Sequence, residues 1–226
     1  MKDKKSIIII IVLLIVLFIG FKFYGYMIYN DSKFEDLAVV KFDGTMTINH
    51  TELNEEDYIR YDNFKVQNIF NDYEIINDES NSLKYKRIGT ENEAIFMGVD
   101  DQFVTLLRNA DDYKKFSLKF FEKNNINNDL DLLKYFESHS NDSVKFFMLY
   151  SKQKEISKIK EINSLILPSL EYVKSVDGYY TGYIFKTTSK ISEVNILKGD
   201  KRYYFTFVGN YDEVFINDFI NTLIIE

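Results

Sequence analysis

From Ile7 to Phe21 the chain runs fifteen residues without a charge, broken only by Gly20, and this stretch constrains the protein more than any other. Fifteen residues lies between the core of a signal peptide and a full bilayer span of about 20, so the flanks must decide. Beyond Lys22 the chain continues Phe23, Tyr24, Gly25, Tyr26, Met27, Ile28 and Tyr29. Ile7 to Tyr29 is thus 23 residues, roughly 34 Å of helix. Lys22 is placed to snorkel at the outer end, among aromatic residues suited to the headgroup level.

Fourteen apolar residues supply roughly −4 to −8 kcal/mol of insertion energy, against about +2.5 to +3.5 kcal/mol for a lysine at mid-bilayer. Insertion wins. Signal-peptide cleavage needs small residues at −3 and −1, and Gly25 has the bulky Phe23 two places before it. An uncleaved signal anchor is therefore expected. Lys2, Lys4 and Lys5 precede the span and Lys22 alone follows it, which predicts a cytoplasmic N-terminus. The expected organisation is a stub and anchor over 1–29, with Ile7 to Tyr29 in the lipid bilayer of the cell membrane, and one extracytoplasmic domain over 30–226.

Without Lys2, Lys4, Lys5, Lys22 and Asp3, the remainder holds 24 basic and 34 acidic residues, a net of −10 against −7 for the whole chain. Such a body repels nucleic acid and anionic lipid, and both are set aside as partners unless a local patch overrides the mean. The chain lacks cysteine and has two histidines, which removes thiol nucleophiles, zinc ribbons and lipidation at a lipobox cysteine. A content of 27 Ile, 24 Lys and 20 Asn against 3 Ala and 1 Pro suggests an AT-rich bacterial genome. Lysine and asparagine runs therefore need independent support before they are read as binding patches.

The outer part reads as α+β, a largely antiparallel sheet with amphipathic helices packed on it. Strands are predicted at 37–42, 45–48, 64–70, 73–76, 83–88, 94–97 and 103–107, between clusters of turn residues. Period then changes. Tyr113, Phe116 and Phe120 share a helical face behind an Asp111 cap, as do Leu132, Leu133 and Phe136 in 129–137. A buried strand is predicted at 144–150, and a third helix over 152–167, with Pro168 ending it. Alternation at 179–185, and two strands flanking a Gly199-Asp200 hairpin turn, predict three further antiparallel strands. Asp212 should cap a closing helix whose Ile216, Phe219, Ile220 and Leu223 cover one sheet face.

Chemical motifs are sparse. His50 and His139 lie 89 positions apart and neither has a helical metal-pairing neighbour; Ser138 beside His139 lacks a nucleophile elbow. Asn127, Asp129 and Asp131 begin like a calcium loop, but Leu132 and Ser138 stand where glycine and a bidentate glutamate are required, so a helix cap is expected. Asp100-Asp101 and Asp111-Asp112 read as turn or cap pairs. Lys152, Lys154, Lys158 and Lys160 form a basic stripe, read as the solvated face of the third helix. Tyrosines 179, 180, 183, 203, 204 and 211 read as half core, half edge. Asn49-His50-Thr51 and Asn141-Asp142-Ser143 match the glycosylation pattern, which matters only in a eukaryotic secretory route.

No catalytic, cofactor or metal residue is assigned, and no enzyme activity is expected. The leading expectation is a non-enzymatic binding or structural module facing outward to engage an envelope protein or small ligand. The alternatives are an immunity protein against an envelope-targeting toxin, and an envelope hydrolase whose carboxylates meet only in the fold.

Overall fold

A computed structural model describes residues 2–29, 41–76, 82–90, 92–140, 145, 148–166, 170–187 and 190–226, without the side chains of 2–10, 165, 166, 170 and 171. In chain order the first elements are α1 (Lys2–Tyr29), β1 (Phe42–Ile48), β2 (Tyr58–Tyr61), β3 (Phe64–Gln67), β4 (Tyr73–Ile76), β5 (Ser82–Arg87) and β6 (Ala94–Asp101). Then come α2 (Phe103–Asn109), α3 (Asp111–Lys123), α4 (Asp129–Ser138), α5 (Tyr150–Ile166), β7 (Leu170–Gly178), β8 (Thr181–Thr187), β9 (Ile191–Lys198), β10 (Lys201–Val208), α6 (Glu213–Asn221) and β11 (Ile224–Ile225). The protein is α+β, with a largely antiparallel mixed sheet and six helices among the described residues.

The chain divides into two compact units, one of Met1–Val39 with Ser138–Pro168, the other of Val40–Glu137 with Ser169–Glu226. In the first, α1 is one unbroken helix with a candidate membrane span over Ile11–Tyr29. Every side chain from Ile11 to Phe21 is exposed. Lys22 behaves otherwise than expected. It is buried, and its ammonium donates to the Met148 carbonyl instead of snorkelling. Tyr29 and Tyr150 share a hydroxyl hydrogen bond of 3.0 Å with rings edge to face at 5.4 Å. Gly25 makes the approach possible, since a Cβ there would collide with Gln153 Oε1 and lie 2.9 Å from Tyr150 Cδ2.

The second unit is built on an eight-stranded sheet of order β1-β7-β8-β9-β10-β6-β5-β4. All its neighbours are antiparallel except β1 and β7. Alternation sends Val194, Ile196, Tyr203, Phe205 and Phe207 to one face, where they form a core with Ile216, Phe219 and Ile220 of α6, with Leu223 just beyond its end, and with Phe64 and Val66 of the small sheet β11-β3-β2. Burial of Ile216, Phe219, Ile220 and Leu223 contributes roughly 6–12 kcal/mol, an upper figure because unfolded chains already shield some apolar surface. The opposite face carries Tyr183, Asn195 and Arg202, and α2 and α4 reach it through Phe103 and Asp129.

Several elements match the expectation. Gly199 takes φ +59° in the β9–β10 hairpin, and Asp212 accepts the Phe215 amide at 2.8 Å as the α6 cap. Others differ. Phe103–Leu107 is helical, because its opening amides are received by the Asp129 carboxylate, which lies 25 and 26 positions on. The strand expected over 179–185 begins at Thr181. Tyr179 and Tyr180 form the turn after β7, an unforeseen strand ended by Gly178 at φ +112°. The breaks expected around Asp43-Gly44 are a bulge within β1, and β2 was not anticipated. Asp111 opens α3 without a side-chain cap. Residues 37–40, 144, 146, 147 and Pro168 lie outside the described residues, while in the stretch expected as a buried strand over 144–150 Leu149 is exposed and Tyr150 starts α5.

Candidate functional site

Two adjoining clefts sit where β10 leaves the sheet and α6 begins, sharing Asn210. Gly209 makes this exit possible. Its φ is +116°, and a Cβ would stand 2.8 Å from Glu93 Cγ and 2.9 Å from the Asn92 carbonyl. The first cleft, of about 320 Å3, is lined by Ile69, Tyr73, Tyr211 and Phe215 on its apolar side and by Asp72, Arg87, Asn210 and Asp212 on its polar side. The second, of about 510 Å3, is lined mainly by Thr90, Asn92, Glu93 and Lys190.

The polar groups here are largely committed to one another. Arg87 pairs with Glu93 at 2.8 Å, which raises the pKa of its guanidinium, and Lys190 donates to Asn210 at 3.2 Å. Tyr73 and Tyr211 join hydroxyls at 3.0 Å. Burial, followed by that bond, pushes the Tyr211 phenol well above its ordinary range. Tyr211 also packs at 5.1 Å on Phe215. An aromatic wall beside amide, carboxylate and guanidinium groups suits recognition of a ligand with apolar and polar faces.

A second polar group lies under α2 and α4. Asp129 accepts from the amides of Val104 at 2.9 Å and Phe103 at 3.1 Å, with the Tyr183 hydroxyl at 3.5 Å. Burial pushes its carboxyl up, and the two amides pull the other way. Arg202 lies over the Phe103 ring at 4.3 Å and pairs with Asp100 at 3.4 Å. Asn195, fully buried and directly across from Tyr183, has neither side-chain atom hydrogen-bonded. This cluster holds layers together; it has no open approach for a substrate, as Asp129 is 2 % exposed and Tyr183 likewise 2 %.

The residues singled out in the sequence are scattered. His50 stacks on Tyr179 at 4.5 Å. The Ser138 hydroxyl and His139 Nδ1 lie 2.8 Å apart where α4 ends and the chain leaves helical geometry. Asn128 caps α4 through the Asp131 amide at 2.9 Å, Asp131 accepts from Asn127, and Asp129 turns away to α2. Asp100 and Asp101 are not turn residues. They close β6 and pair across to Arg202 and Lys201. Asp111 and Asp112 fill the first turn of α3. Lys152 and Lys158 pair with Glu155 and Glu161 along α5. Tyr183 and Tyr203 are core, the half-buried Tyr180 hydroxyl accepts from the Ile225 amide at 3.0 Å, and Tyr211 lines a cleft.

Arg87, Glu93 and Asn210 carried no sequence signal beyond a turn-rich surrounding. Asn195 did carry one, as the polar residue in the apolar run Val194 to Leu197. Among the described residues, no group of three or more acidic or histidine side chains is arranged to hold a metal ion. No protein-family model matches the chain, and no curated protein resembles it closely enough to be counted a relative.

Proposed function

We propose that this is a single-pass bacterial membrane protein, its N-terminus cytoplasmic, whose acidic body outside the cell membrane binds an envelope protein or small ligand without transforming it. The observation that carries the reading is the unbroken helix α1, whose apolar side chains from Ile11 to Phe21 are exposed. A helix of that kind is stable only in an apolar medium. The paired clefts around Asn210 supply the binding surface in this reading, since the first joins a half-buried aromatic wall to polar groups and Arg87 is already paired with Glu93.

Hydrolysis by converging carboxylates is less well supported. Among the described residues, Asp129 is the carboxyl whose pKa is raised, and it is closed in and occupied by backbone amides. The test places a photo-crosslinking residue at Asn210 in intact cells, with a compartment-sensitive reporter fused after Glu226. A reproducible envelope partner and an externally active reporter are expected. A reporter active only in the cytoplasm overturns the topology, and the absence of any captured partner overturns the binding role.

A further inference from the structure

The segment that packs on the outer end of α1 has the composition of a membrane-interface element. Lys22, Gly25 and Tyr29 form one stripe of α1 and hold Met148, Tyr150 and Gln153. Residues 11–21 of α1 are exposed throughout, and from Lys22 one stripe, at Lys22 and Gly25, is buried while Phe23, Tyr24, Met27 and Ile28 stay exposed. If α1 lies in a bilayer, this boundary marks the depth at which lipid gives way to protein, and the start of α5 is tied to that depth.

What α5 presents there is apolar tips beside cations. Leu149, just before the helix, is 71 % exposed, and Tyr150 at its start is 45 % exposed. From Lys145 to Glu161 five lysines stand against Glu155 and Glu161, which pair with Lys152 and Lys158, in a chain of net −7. Lys145 and Lys154 are exposed. Leucine and tyrosine at the headgroup boundary, flanked by lysines, are what anionic bilayers attract.

We propose that the Met148–Lys160 segment is a second membrane contact, in which Leu149 and Tyr150 enter the interface and the lysines bind anionic phospholipid headgroups. This rests on the reading of α1 as a bilayer span. The lysine stripe is then a lipid-facing surface and not the solvated face expected from the sequence.

The chain has no native cysteine, so single cysteines report cleanly. Leu14→Cys and, separately, Leu149→Cys are labelled with an environment-sensitive fluorophore in the full chain. Each is placed in bilayers of phosphatidylcholine alone or with phosphatidylglycerol, and quenched by lipids carrying spin labels at graded depth. Deep quenching at 14 and shallow quenching at 149, stronger with phosphatidylglycerol, are expected. Adding Lys152→Gln, Lys154→Gln and Lys160→Gln should lower the docked-to-free ratio about fivefold per lysine, with quenching at 14 unchanged. Quenching at 14 without quenching at 149 overturns this inference and leaves the anchor standing. Loss of quenching at 14 overturns the anchor reading and this inference with it. Equal quenching at 149 in both bilayers overturns headgroup recognition. So does relief of the quenching by a soluble glycerol-phosphate polymer at equal charge concentration, which would make the polymer the better ligand.

Discussion

Replacing Asp129 by alanine should be among the most damaging single changes in the second unit. The carboxylate is 2 % exposed and receives the amides of Phe103 and Val104 at 3.1 and 2.9 Å. Its removal strands two donors of the first turn of α2 where water has no ready access. At about 1–3 kcal/mol for each buried donor left unmade, the loss is roughly 2–6 kcal/mol. That is a large part of an ordinary domain's stability of about 5–15 kcal/mol. Asp129→Asn keeps one acceptor oxygen and should cost about half as much. Urea unfolding of the full chain in detergent, followed by circular dichroism, measures both; hydrogen exchange at residues 103–109 shows whether α2 is what loosens. An Asp129→Ala loss below about 1 kcal/mol would refute the argument that this side chain holds α2 to the sheet.

The same residue gives a pH dependence of definite sign. Burial raises the folded-state pKa of Asp129 above the unfolded value, which is about 3.9. The folded protein therefore binds this proton more tightly, and the stability it confers is present at low pH and lost as pH rises through the raised folded value. Glu213, whose pKa Lys174 lowers, acts oppositely, its contribution being lost as pH falls. Subtracting the Asp129→Asn profile from the native one isolates the first effect, and a difference that grows with pH instead of shrinking would contradict it.

Gly209→Ala combines φ +116° with a Cβ jammed against Glu93 and Asn92, and should destabilise by about 1–3 kcal/mol. Gly199→Ala meets open space at φ +59° and should cost only about 1 kcal/mol, so calorimetry should show the larger fall in Tm at 209. Asp212→Ala removes the α6 cap and should cost about 1 kcal/mol by urea titration; no measurable change would mean that packing alone starts that helix.

Local chemistry was legible where a few neighbouring residues decide the conformation. The hairpin at Gly199-Asp200, the Asp212 cap and the face of Ile216, Phe219 and Ile220 are of this kind, because a turn, a cap and a helical stripe are each made within a single short segment. The clefts were not legible. Tyr73, Arg87, Asn210 and Tyr211 come from two separate strands and a loop, and only the sheet order brings them together.

The sequence by itself determined that the chain opens with an apolar helix long enough to span a membrane, and that α+β structure follows, since hydrophobic run length and periodicity are properties of the chain read in order. Tertiary structure decided the rest. The segment at Phe103 became helix because a carboxylate 25 and 26 positions away receives its amides. Lys22 was buried because Gly25 lets the start of α5 come close enough for Met148, just before it, to offer a carbonyl. In both cases a polar group's partner is distant in sequence, and its energy outweighs the local preference that the neighbouring residues express.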